Sequence, residues 1–158
     1  MKKVIAYLFL LLALILLGYF RDYFLSQYNN YLYQLYYKDP EYAIEASFSF
    51  LKNFTYMQLY YAKFFIIAFF CLCYYAITIT TIWITFKERK KIVLSSYFYI
   101  GILVIALIFY LYGLATDGSE KIYEISRTFL ALLQSPLVLM ILIPAFKIKF
   151  QQPIQTEN

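Results

Sequence analysis

Residues 64–91 read FFIIAFFCLCYYAITITTIWITFKERKK. An apolar run of 23 residues, relieved only by threonines, cysteines and tyrosines, stops abruptly at a basic cluster. At about 1.5 Å per helical residue such a run spans the roughly 30 Å hydrocarbon core of a bilayer. Basic residues beside a short loop resist translocation. The stretch therefore predicts a transmembrane helix over 64–86 whose end at Lys87, Arg89, Lys90 and Lys91 stays in the cytoplasm.

Working outward, three further apolar runs have spanning length: 92–115, 128–146 (interrupted at Gln134, Ser135 and Pro136), and 4–20, which comes after Lys2 and Lys3. The last of these resembles the front of a signal peptide, but Leu16, Leu17, Gly18 and Tyr19 offer no small-residue cleavage pattern and no cysteine comes next. It reads as a retained signal anchor. Lysines also close the chain at Lys147 and Lys149, whereas Asp22, Asp39, Glu41, Glu45, Asp117, Glu120 and Glu124, seven of the nine carboxylates, lie in the other two connections. The basic and acidic sides alternate without conflict, which predicts four spans with both ends cytoplasmic. The expected fold is all-α: one integral membrane bundle over 1–158, with amphipathic interfacial helices in the outer segment 21–63. The expected location is the inner (cytoplasmic) membrane.

Composition agrees. Of 158 residues 63% are apolar and 15% charged, against about half and a quarter in soluble domains. The 19 tyrosines and 16 phenylalanines suit a boundary with one dry and one wet side. The net charge of +5 sits in clusters beside apolar runs, so it reads as topology and not as a nucleic-acid surface. With no histidine in the chain, imidazole chemistry is excluded. Cys71 and Cys73 lie two apart within a span, on roughly opposite sides of a helix, which argues against a disulfide. No catalytic group, metal site or cofactor is expected; membrane lipid is the expected surrounding, and homo-oligomers have room to form.

The outer segment holds no glycine, one proline and many aromatics, unlike a disordered linker. Asp39, Pro40 and Glu41 form a helix-start signature: a capping carboxylate, a first-turn proline and an acid at the positive dipole end. Ile44, Phe48, Leu51 and Phe54 come after it at helical spacing, and Phe24, Tyr28, Tyr31 and Leu35 precede it. Two amphipathic helices are predicted, lying on the surface or capping the bundle, where they serve as a cover or as a docking surface. Asn53, Phe54 and Thr55 spell a glycosylation triplet, a pattern common by chance.

Polar residues inside the spans are few. Cys71, Tyr74, Thr78, Thr81 and Thr85 fall on one helical stripe, the kind of surface by which helices approach and hydrogen-bond in lipid. It fits packing within the protein or contact with a partner's helix. Pro136 removes a donor and frees a carbonyl, so a kink rescued by Ser135 or Gln134 is expected. Arg127 can snorkel to headgroups or pair with Glu120 and Glu124. No Asp, Glu, Lys or Arg lies mid-span, which disfavours an ion or proton pathway.

Arg127, Thr128 and Phe129, then Gln134 and Pro136, then Leu142, Ile143, Pro144, Ala145 and Phe146, together with Tyr36, Tyr37, Lys38, Asp39 and Pro40 after Arg21, resemble the small exosortase-associated membrane proteins of Bacteroidota, of the exosortase F or exosortase X type. Ser135 and Lys38 are insertions relative to that pattern. The resemblance implies a noncatalytic accessory to a membrane cysteine transpeptidase that recognises carboxyl-terminal sorting tags. Binding the transpeptidase or its substrate would then fall to Thr78, Thr81, Thr85, Arg127, Gln134, Pro136, Asp39 and Pro40. An alternative function is a small carrier or flippase subunit for lipid-linked glycans, which requires a polar cavity. A reporter fused after Asn158 is expected to remain cytoplasmic, and Glu45→Cys to react with an impermeant thiol reagent only from outside.

Overall fold

The computed structural model describes residues 2–38, 45–116 and 120–149, and within these every regular element is helical. The first helix, α1, runs unbroken from Lys2–Tyr37. Nothing in the sequence stops it after residue 20: no proline or glycine intervenes before Lys38, and the Phe24, Tyr28, Tyr31 and Leu35 face carries the helical period onward. The first expected interfacial helix is thus the last part of α1, which at 36 residues is about 54 Å long. It ends where Lys38 adopts a left-handed conformation (φ 55°), two residues before Pro40, a common way to stop a helix.

The helix start predicted at Asp39 and Pro40 lies outside the described residues. The next element is a 3₁₀ helix, Ala46–Asn53, in place of the α-helical face predicted over 44–54. Phe48 and Leu51, three apart, share its inward edge and are buried, as its three-residue turn requires. Phe54 falls beyond its end in extended backbone and is exposed. Glu45 ties this segment to α1 by accepting hydrogen bonds from Tyr23 Oη and from Gln27 Nε2 (3.2 Å).

Helix α2, Tyr56–Phe86, begins eight residues before the predicted span. Thr55 caps it, its N–H donating to Gln58 Oε1 at 3.0 Å, half of a capping box. Its far end closes on Lys87 (φ 55°), whose N–H donates to Trp83 O at 3.0 Å. Only Lys87 and Glu88 separate it from α3, Arg89–Ala115. The predicted fourth span is two helices, α4 (Glu120–Leu133) and α5 (Leu137–Lys149), bent by 63° at the predicted break.

The helices pass back and forth between two ends. At the basic end Tyr7 Oη donates to Thr85 Oγ1 (3.2 Å), Phe86 meets Phe146 edge to face, and Lys91 Nζ lies 4.2 Å from the Phe86 ring centre. The start of α1, the α2–α3 turn and the end of α5 therefore share one end. At the opposite end Tyr28 Oη donates to Leu59 O (2.7 Å), and Phe64, Tyr110 and Tyr123 join α2, α3 and α4 through their rings. Three helices are long and apolar enough to cross a membrane, and α4 with α5 form a fourth if the bent pair is one span.

Two apolar clusters hold the bundle. One centres on Cys71, Ile82, Tyr99, Leu133 and Val138 among α2, α3, α4 and α5; the other packs Tyr28, Tyr31 and Leu32 of α1 on Phe48, Leu51 and Leu59. The apolar half of α1 stays almost wholly uncovered, only 6% of its most apolar window being buried, as a helix facing lipid can. Where α3 and α4 approach, Gly113 leaves little room: a Cβ there would stand 3.3 Å from Ile122 Cγ2 and 3.6 Å from the Tyr123 ring. Gly113→Val should weaken this pairing by about 1–3 kcal/mol, the usual range for overpacking, read as earlier loss of helix structure in an SDS titration.

Candidate functional site

The stripe predicted on α2 faces inward, and its hydroxyls are engaged inside the protein. Thr78 Oγ1 and Tyr99 Oη of α3 are 2.9 Å apart, both buried. Thr81 Oγ1 donates to Ile77 O (2.8 Å) of its own helix, and Thr85 Oγ1 to Thr81 O (2.7 Å). Such back-bonding satisfies a hydroxyl without a neighbour. Thr85 also accepts from Tyr7 of α1. A further pair, Tyr75 Oη and Ser96 Oγ at 2.8 Å, joins α2 to α3 beside the stripe.

At the outer part of the stripe lies the break in the last helix. Pro136 has no N–H for the Leu132 carbonyl. That carbonyl accepts instead from Ser135 N (3.2 Å) and Ser135 Oγ (2.8 Å), while Ser135 Oγ also receives Leu137 N–H at 3.3 Å, so one serine closes α4 and opens α5. The predicted rescue by Ser135 is present. Gln134 is buried, its Nε2 donating to Ile67 O (3.2 Å) and Cys71 Sγ (3.3 Å) on α2. Its own carbonyl accepts from Nη1 of Arg21.

In the sequence Arg21 opens the outer segment and enters the family resemblance, but nothing there assigns it a contact. Because α1 continues as a helix past residue 20, its side chain lies against the bundle, 19% exposed. It reaches Gln134, lies 5.9 Å from the Tyr74 ring centre, and donates from Nε (2.9 Å) and Nη2 (2.6 Å) to Asp22 Oδ1. The signal was a lone arginine directly after an apolar run with an acid beside it; its partner is 113 residues away. Lys91, counted only as a topological charge, is also buried, paired with Glu88 at 2.9 Å and set over Phe86.

Among the described residues no buried side-chain nitrogen or oxygen lacks a partner, and no three metal-ligating side chains converge. Thr78, Thr81 and Gln134 are each hydrogen-bonded within the packing. Pro136 is exposed at the bend. Arg127 is exposed and forms no ion pair with Glu124. Instead it lines a cleft with Lys63 and several tyrosines. Asp39 and Pro40 lie outside the described residues.

Beside the break, α2, α3 and α4 leave a groove of about 640 Å³. Its α2 wall runs Phe64, Ala68, Leu72 and Tyr75; its α3 wall runs Ser96, Ile100, Leu103 and Leu107. Both walls keep helical spacing over about three turns, and Leu130 and Leu133 of α4 form the floor. Comparison with protein-family models, with curated proteins and with solved structures finds no match to this chain.

Arg21→Met removes the donor to the Gln134 carbonyl at a site shielded from water. The expected loss is about 1.5–3 kcal/mol, the range for a hydrogen bond involving a charged group, seen as a lower midpoint in an SDS titration of helix content. Arg21→Lys, with one ammonium in place of a fork, should recover only part of it.

Proposed function

We propose that this chain is a noncatalytic accessory membrane protein of an exosortase-type sorting system, crossing the inner membrane four times with both ends cytoplasmic. It binds the transpeptidase or its substrate within the bilayer. The observation that carries this is the lateral groove between α2, α3 and α4. Two walls with helical period and a floor of leucines suit the ridge of one more helix, and Ala68 and Ser96 permit close approach, as small residues do at helix contacts in lipid. The occupant we assign is a transmembrane helix of the sorting machinery.

Two other observations support this reading. The residue pattern of the last span and of the aromatic-Asp-Pro turn resembles that of exosortase-associated proteins. The interior polar groups are engaged with one another, whereas a carrier or flippase for lipid-linked glycans would need them to line a path. The four crossings rest on treating α4 and α5 as one bent span, a reading supported by the start of α1 and the end of α5 lying at the same end of the bundle.

A photoreactive amino acid at Leu103 should crosslink to the neighbouring transpeptidase or to its tagged substrate, and Ala68→Trp, which fills the groove, should abolish both the crosslink and copurification. No crosslink, together with normal sorting in a deletion strain, would end the proposal.

A further inference from the structure

Lys63 and Arg127 share a cleft beside the second apolar cluster. Each cation stands one position before an apolar run, Lys63 before 64–86 and Arg127 before 128–146. In sequence Arg127 reads as a snorkelling residue and Lys63 only as the end of the outer segment. The fold brings them together: Lys63 on α2 and Arg127 on α4 line one cleft of about 390 Å³, whose other side is α1 with Asn29 and Tyr33. Tyr56 and Tyr60, stacked with ring centres 6.2 Å apart, form an adjoining wall.

Two positive charges converging in a partly enclosed space repel each other unless an anion lies between them. The protein supplies none among the described residues, whose ion pairs are Arg21–Asp22 and Lys91–Glu88. Lys63 is half-buried, so the repulsion is not fully screened by solvent. Around the cations stands instead a set of donors and ring edges: the Asn29 amide and tyrosine hydroxyls, which suit phosphate oxygens and the glycerol beside them.

Depth narrows the choice. Lys63 stands 23 residues before Phe86 on an unbroken helix, a rise of about 35 Å. With the basic end at one face of a hydrocarbon layer about 30 Å thick, Lys63 lies just beyond the opposite face. That is where lipid phosphates lie, and where tyrosines gather.

We infer that this cleft is a binding site for the phosphate of an anionic phospholipid, held between Lys63 and Arg127 on the side of the bundle away from the α2–α3 turn. The assignment is independent of the groove and of any protein partner. Two cations with no carboxylate among the described residues of the lining favour a headgroup of net negative charge over a zwitterionic one.

The test is native mass spectrometry of the purified full chain in detergent, titrated with phosphatidylglycerol or with phosphatidylethanolamine. One phosphatidylglycerol should be retained in preference to phosphatidylethanolamine. The K63Q/R127Q double variant should retain it at least about tenfold less, as expected from losing two surface cations. The charge-preserving K63R/R127K variant and the control Lys52→Gln, an exposed cation away from the cleft, should bind as the original does. Circular dichroism and gel filtration of each variant confirm that the bundle is intact. Equal retention by a folded K63Q/R127Q variant would overturn the assignment. So would displacement of the lipid by millimolar glycerol phosphate, which would make a soluble phosphate the ligand, or equal retention of the two lipids.

Discussion

A helix that breaks in a solvent without hydrogen-bonding capacity must have its exposed backbone groups repaired by the protein itself. In this chain the break falls at residues 134–136, and the rest of the bundle is arranged around its repair. Ser135 satisfies the local groups on both sides of the bend, and Arg21 reaches from the first helix to the Gln134 carbonyl. Gln134 in turn clips the break to α2 through the Ile67 carbonyl and the Cys71 thiol. One bend thus engages two other elements, α1 and α2, and the bent pair can serve as the last passage of the bundle only because those donors are present.

Away from that point the forces are those of packing in lipid. Burial of apolar surface contributes little where the surroundings are equally apolar. The contacts that select one arrangement are therefore the small and hydroxylated ones: Thr78 with Tyr99, Tyr75 with Ser96, Ser126 donating to the Ala106 carbonyl at 2.8 Å, and the close approach at Gly113. The end opposite the α2–α3 turn differs. There α1 and α2 extend beyond the thickness of a hydrocarbon layer, and an apolar cluster including Tyr28, Phe48, Leu51 and Leu59 closes over their junction. Water is present at that level, so apolar burial contributes there in the ordinary way.

These two regimes leave two distinct surfaces, one in each environment. The groove between α2, α3 and α4 is dry and shaped by helical ridges, which suits a helix as occupant. The cleft at Lys63 and Arg127 lies where charge can be solvated and where lipid phosphates are found. Where polar groups line the groove, as Tyr75, Ser96 and Tyr99 do, they are already hydrogen-bonded between the helices.

Much of this was legible in the residues. Apolar length and the clusters at Lys2–Lys3, Lys87–Lys91 and Lys147–Lys149 are local properties, and they located the long helices. The kink at Pro136, with Ser135 as its remedy, comes from the missing N–H alone. The inward faces at Tyr28 and Tyr31 and along Cys71, Tyr74, Thr78 and Thr81 come from helical period. Three things were not legible there. Whether a helix stops at the end of its apolar run depends on what the next turns pack against, and α1 continues because Phe24, Tyr28 and Tyr31 find α2 and the 3₁₀ segment. Whether a short apolar repeat forms an α- or a 3₁₀ helix depends likewise on the partner surface, here the one that buries Phe48 with Leu51. Most of all, sequence patterns describe neighbours along the chain, whereas Arg21 with Gln134 and Lys63 with Arg127 are neighbours only across helices, and only the packed bundle could bring them together.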